Sequence, residues 1–150
     1  MKLLVTGGAG FIGSHFVKYM LDRYADCEII CLDKLTYSGN KENLGCVWDQ
    51  KRFSFLHADI CDYDVLRTIT CDKIVNFAAE THVDRSLQKG AGYFIDANVK
   101  GAAILAEYAL ESKIKKFVHV STDEVYGSKK QGYASETDAL NPSNLYAAAK

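Results

Sequence analysis

The sequence predicts an α/β fold built on a doubly wound parallel sheet, and three observations carry that expectation. Short apolar runs recur that are near-continuous rather than alternating, the pattern of strands buried on both faces of a sheet. Segments with helical periodicity separate them. A glycine-rich turn joins the first run to the first helical segment.

Leu3 to Thr6 is the first expected strand, and Ile12, Phe16, Val17, Met20 and Leu21 then mark one face of a helix with Lys18, Asp22 and Arg23 left for solvent. Glu28 to Leu32 and Phe53 to His57 are the second and third strands. Between them, Leu35 to Lys51 mixes Ser38, Gly39, Asn40 and Gly45, which predicts mostly loop with one turn of helix around Glu42. Asp62 to Thr70 reads as a short helix and Lys73 to Phe77 as the fourth strand. Phe94, Ile95, Val99, Ala102, Leu105 and Ala109 mark a long crossover helix, closed by the positive charge of Lys113 to Lys116 near its C-terminal dipole. Phe117 to Val120 is the fifth strand, and right-handed crossovers then predict the strand order 3-2-1-4-5.

The glycine turn carries the first functional expectation. Thr6, Gly7, Gly8, Ala9, Gly10, Phe11, Ile12, Gly13 and Ser14 lie where strand gives way to helix. A pyrophosphate needs backbone N–H groups at a helix N-terminus and no Cβ in its path, which Gly7, Gly10 and Gly13 supply. Asp33 follows about 20 residues later at the end of the second strand, where a carboxylate accepts the ribose hydroxyls of an adenosine and repels a 2′-phosphate. NAD is therefore expected over NADP, with Lys34 next door positioned to soften the repulsion. Asp59 and Ile60 after the third strand are expected to hydrogen-bond and sandwich the adenine, and Ala78 and Ala79 after the fourth to let the cofactor lie close to backbone.

Composition excludes several other partners. With 18 Lys plus Arg against 19 Asp plus Glu, the chain has no global field for nucleic acid or an anionic membrane, so a small molecule is expected. Met1 to Val5 is too short an apolar run for a signal peptide or membrane span, which predicts a cytoplasmic protein. Cys27, Cys31, Cys46, Cys61 and Cys71 contain no zinc spacing and read as reduced thiols, and His57 and His119 as core histidines rather than ligands. No metal is expected.

The remaining chemistry lies near the end of the chain. Tyr146 and Lys150 are four residues apart and share a helix face, a spacing that lets an ammonium favour a phenolate base. Ser121 to Gly127 reads STDEVYG, directly after the fifth strand. That stretch, with FAAETHVDRS from Phe77 to Ser86 and DKLTYSGN from Asp33 to Asn40, resembles the dTDP-glucose 4,6-dehydratases and close relatives acting on UDP-sugars. The GxxGxxG spacing also resembles the variant used by the extended short-chain dehydrogenase/reductases, which implies an NAD-binding Rossmann fold.

The resemblance implies roles for matching positions. Thr122 would hydrogen-bond the sugar 4-hydroxyl, Tyr146 would take its proton with Lys150 in support, and hydride would pass from C4 to NAD. Glu124 would then remove the acidified C5 proton while Asp123 protonates the departing 6-hydroxyl, and the hydride would return to C6. Phe11, Ile12, Lys34, Leu35 and Thr36 fall at cofactor-binding positions, Tyr146 and Lys150 also touch the cofactor, and Thr81 falls at a substrate-binding position. His82, Asp84 and Arg85 belong to the motif without a catalytic role. A nucleoside-diphosphate glucose, dTDP- or UDP-linked, is the implied substrate and a homodimer the implied assembly.

Leu145 stands where the family has proline, Ala147 and Ala148 replace small polar residues, and the loop from Ser128 to Leu140 is short. Asn141 to Asn144 offer turn and N-cap chemistry before Leu145 to Lys150, so the chain ends inside an expected helix. The expectation is an NAD-binding domain over residues 1–150, truncated in that helix, without the C-terminal substrate domain and by itself inactive. The alternatives are a dinucleotide-binding module without turnover, or a sugar-nucleotide 4-epimerase or decarboxylase; the last two have no need of adjacent Asp123 and Glu124 for elimination.

Overall fold

The computed structural model describes residues 1–81, 91–129 and 131–150. His82, Asp84 and Arg85 lie outside them. Numbered in chain order, the described elements begin β1 (Lys2–Thr6), α1 (Phe11–Arg23), β2 (Glu28–Asp33), a 3-10 helix (Lys41–Val47), β3 (Phe53–His57), α2 (Tyr63–Arg67) and β4 (Lys73–Asn76). A continuous helical run follows, with α3 (Ala91–Phe94), a π-helical stretch (Ile95–Lys100) and α4 (Gly101–Glu111). β5 (Lys116–His119), a 3-10 turn (Asp123–Tyr126) and α5 (Leu145–Ala149) complete the order. The strands pair in parallel as β3-β2-β1-β4-β5, the order the sequence predicts.

Alternation along β1 shows why both faces need cover. Leu3 and Val5 join Val17 and Leu21 of α1 in one core, whereas Leu4 joins Leu66, Leu105 and Tyr108 from α2 and α4 in the other. Double burial is complete only in the middle of the sheet: β3 and β5 are edges, and none of their residues is fully buried. Their apolar runs are therefore half-covered, unlike the expectation from pattern alone.

Two helices also depart from the sequence reading. The 3-10 helix is longer than the single turn expected, because Asn40 caps it by accepting from the Glu42 amide and Leu44 and Val47 bury against α1. In the long crossover, the i→i+5 geometry of Ile95–Lys100 shifts the helical phase. Asn98 turns inward there, and Ile95 and Val99, expected in the core, are nearly half exposed at 46% and 47%. His57 is likewise exposed and donates from Nε2 to the Lys34 carbonyl at 3.1 Å. All five cysteines are free thiols. Among the described residues no helix is long and apolar enough to cross a membrane.

Candidate active site

The carboxyl ends of β1, β2 and β4, with the start of α1, enclose a cleft of about 400 Å³. Ligands in open α/β sheets bind at this point, where the strand order reverses. Gly7 turns the chain there with φ +69°, and a Cβ on it would sit 2.5 Å from the Ala78 amide nitrogen. Gly13 packs α1 onto that turn, since its Cβ would come within 2.9 Å of Gly8 Cα and run into the Gly7 carbonyl. The start of α1 has no side-chain cap, and Phe11, Ile12 and Gly13, whose amides belong to its first turn, line the cleft. Phe11 and Ile12 are mostly exposed there, so Ile12 belongs to the cleft and not to the core face of its helix. An uncapped helix start beside crowded glycines suits a pyrophosphate.

At the next strand end, Asp33 is 8% exposed, with Oδ2 accepting from Ala9 N at 2.9 Å and Oδ1 from Leu35 N at 2.8 Å. The carboxylate thus ties the glycine turn to the segment after β2 while still lining the cleft. Leu35 sits at φ +54°, and its side chain packs against the α1-side core, outside the cleft lining. Lys34 is drawn to Asp59, with Nζ 2.6 Å from Oδ2. Burial works to raise the Asp59 carboxyl, but the Lys34 hydrogen bond and the Cys61 amide outweigh it, and the net direction is down. That hydrogen bond raises Lys34 in turn. Ile60, Thr36, Ala78 and Ala79 line the same cleft.

The opposite end gathers the residues expected to carry chemistry. Tyr146 and Lys150 line the cleft, and the Lys150 ammonium donates to the Val120 carbonyl at 2.5 Å. Thr122 caps the 3-10 turn: its Oγ1 accepts from Glu124 N at 3.3 Å and lies 3.4 Å from Asp123 Oδ1, to which it donates. Glu124 turns the other way, its Oε2 accepting from Asn144 Nδ2 at 2.9 Å. The neighbouring acids therefore have different partners. Burial pushes the Tyr146 phenol up, a hydrogen bond with Thr122 pulls it down, and Glu124, Asp123 and Tyr37 push it up again. Burial also pushes the Lys150 ammonium down.

Sequence reasoning missed several residues that build this site. Tyr37 reaches across the cleft mouth to Thr81, hydroxyl to hydroxyl at 3.1 Å. Asn98 clamps the chain after β4, accepting from Glu80 N at 2.8 Å and donating to Glu80 O at 2.9 Å. Asn76 accepts from the Thr6 hydroxyl at 2.6 Å and the Ala78 amide at 3.0 Å, so its Nδ2 donates to His119 Nδ1 at 3.0 Å. His119 is thereby held neutral with its proton on Nε2, and burial and Lys150 both lower its pKa. Tyr93, Asp96 and Ala97 share the helix face that lines the cleft, a polar signal hidden beneath the apolar pattern.

Known proteins resemble this chain in sequence and in fold. The chain is 47% identical over its full length to the low-salt glycan biosynthesis protein Agl12 of Haloferax volcanii, covering 48% of it. DesIV, a dTDP-glucose 4,6-dehydratase from Streptomyces venezuelae solved with NAD bound, superimposes with a TM-score of 0.94 at 49% identity, over 100% of this chain and 48% of DesIV. The UDP-Glc/GlcNAc 4-epimerase of Campylobacter jejuni gives 0.89 at 33% identity, over 99% of this chain and 45% of that one. The chain spans about half the length of the curated relatives it matches. The family model for GDP-mannose 4,6 dehydratase matches residues 4–150, and on that match the chain belongs to the GDP-mannose 4,6 dehydratase family.

Proposed function

We propose that this chain is the dinucleotide-binding part of a sugar-nucleotide 4,6-dehydratase that converts a nucleoside-diphosphate glucose to its 4-keto-6-deoxy product. One observation carries the reading: Asp123 and Glu124 follow β5 beside Thr122 and Tyr146, each acid with its own partner. A 4-epimerase has no step for two such acids, and the epimerase structure is less similar than the dehydratase structure.

The cleft fits NAD, because glycines crowd where its pyrophosphate would lie and Asp33 lines the wall at the ribose end. Gly7, Gly10, Gly13 and the start of α1 would hold the pyrophosphate, Asp33 and Thr36 the ribose, and Asp59 and Ile60 the adenine. Bound NAD supplies the acceptor that takes hydrogen from the sugar C4 and returns it to C6. Thr122 orients the 4-hydroxyl and Tyr146 takes its proton. Lys150, four residues on along the same helix, and the positive ring of bound NAD would together favour the phenolate. The Glu124 carboxylate removes the C5 proton while Asp123 gives a proton to the 6-hydroxyl, which leaves as water, and C5 takes a proton back as hydrogen returns to C6. Thr81 would add a further contact to the substrate.

The exposed Ile95, Val99 and Leu110 side chains of the long crossover helix support a homodimer in which a second copy covers them. Free thiols support a cytoplasmic setting.

Incubating the parent enzyme with dTDP-glucose, UDP-glucose and NAD, with products resolved by mass and NMR, tests the function. A 4-keto-6-deoxy sugar nucleotide is expected; a C4 epimer alone sinks the reading. Cofactor choice is checked by calorimetry on Asp33→Ala. NAD affinity should fall by about tenfold or more, because the ribose acceptor goes and the Ala9 and Leu35 amides lose theirs. NADP should lose less, so the gap narrows; an unchanged ratio removes Asp33 from the ribose.

A further inference from the structure

Asn144 stands between two parts of the site that no local pattern connects. It is the N-cap of α5, where its Oδ1 accepts from the Ala147 amide at 2.7 Å. An amide oxygen bound to a backbone N–H fixes the orientation of the group, so the NH2 end must face outward. It donates to Glu124 Oε2 at 2.9 Å, across 20 positions of sequence. Tyr146 is the second residue of the capped helix, so one side chain links the segment carrying the phenol to the carboxylate beside it. Glu124 is exposed, and an exposed glutamate has three rotatable torsions to settle before it can meet a C–H bond.

We propose that Asn144 is a positioning residue for the elimination step: its amide holds the Glu124 carboxylate in register with Tyr146 while capping the helix that carries the phenol. The inference rests on Glu124 being the base that removes the C5 proton. Proton transfer from carbon needs the acceptor within hydrogen-bond reach of the reacting atom, and a small displacement costs rate more than affinity.

Two substitutions separate capping from positioning. Asp and Ser cap as well as Asn, so Asn144→Asp and Asn144→Ser should both keep the helix and melt near the parent. Ser keeps a hydroxyl donor, whereas Asp removes the N–H and sets a second carboxylate against Glu124. In the full-length enzyme, Asn144→Asp should lower kcat by about tenfold to a hundredfold with KM little changed. Reduced dinucleotide should accumulate during turnover, and uptake of solvent deuterium at C5 should fall. Asn144→Ser should fall between Asp and the parent. Equal kcat in all three proteins, or slowing without accumulation of reduced dinucleotide, overturns the inference and leaves Asn144 a cap. Absence of dehydration in the unmodified enzyme overturns the underlying reading instead, and the inference with it.

Discussion

In the Glu124→Gln variant of the full-length enzyme, the bound dinucleotide is expected to accumulate in its reduced form while the final product is lost. The substitution keeps the length of the side chain and removes its basicity. Thr122, Tyr146 and Lys150 are untouched, so loss of hydrogen from C4 proceeds. The next step needs a base at C5, and such a base contributes on the order of 10²–10⁴ in rate. Single-turnover absorbance in the near ultraviolet follows the reduced cofactor, and NMR follows deuterium at C5, which should fail to enter. The geometry adds one complication. Asn144 Nδ2 donates to Glu124 Oε2, and a glutamine can meet it with its own oxygen, so the side chain stays in place and the loss reports chemistry instead of position. Normal dehydration by this variant removes Glu124 from the mechanism.

Much of this architecture was legible in the sequence because its causes are local. Buried strands declare themselves by apolar runs, and Gly7 and Gly13 by the turn they must make. The predicted cofactor residues line the cleft, apart from Leu35, whose side chain goes to the core and whose amide braces Asp33. What escaped was set by tertiary contact. Lys34 turns to Asp59, Tyr37 to Thr81 and Asn144 to Glu124, pairs brought together only when the strand ends converge. The π-helical stretch defeated the periodicity at Ile95 and Val99, because an i→i+5 step is invisible to a 3.6-residue template. The Lys150 ammonium likewise meets the Val120 carbonyl, 30 positions away in the chain.

Replacing Gly13 by Ala is expected to weaken the protein and its cofactor binding together, although helix propensity argues the reverse. Gly13 is the third residue of α1, where Ala is better than Gly by about 1 kcal/mol. Against that gain stands the added methyl, which would meet the Gly7 carbonyl and lie within 2.9 Å of Gly8 Cα. Both neighbours are backbone of the turn itself, so neither can swing aside as a side chain would. Overpacking of this kind costs roughly 1–3 kcal/mol, and relief requires α1 to lift from the turn. Lifting it moves the first-turn amides of Phe11, Ile12 and Gly13 off the cleft, so dinucleotide affinity should fall by at least about tenfold. Gly45→Ala is the control, since a Cβ there meets nothing within 4 Å. Thermal melts with and without NAD check both parts: Gly13→Ala should melt lower and gain less from NAD, whereas Gly45→Ala should follow the parent. A Gly13→Ala protein that melts higher and binds NAD normally would show that the turn has room the geometry denies, and that the glycine serves neither packing nor the pyrophosphate.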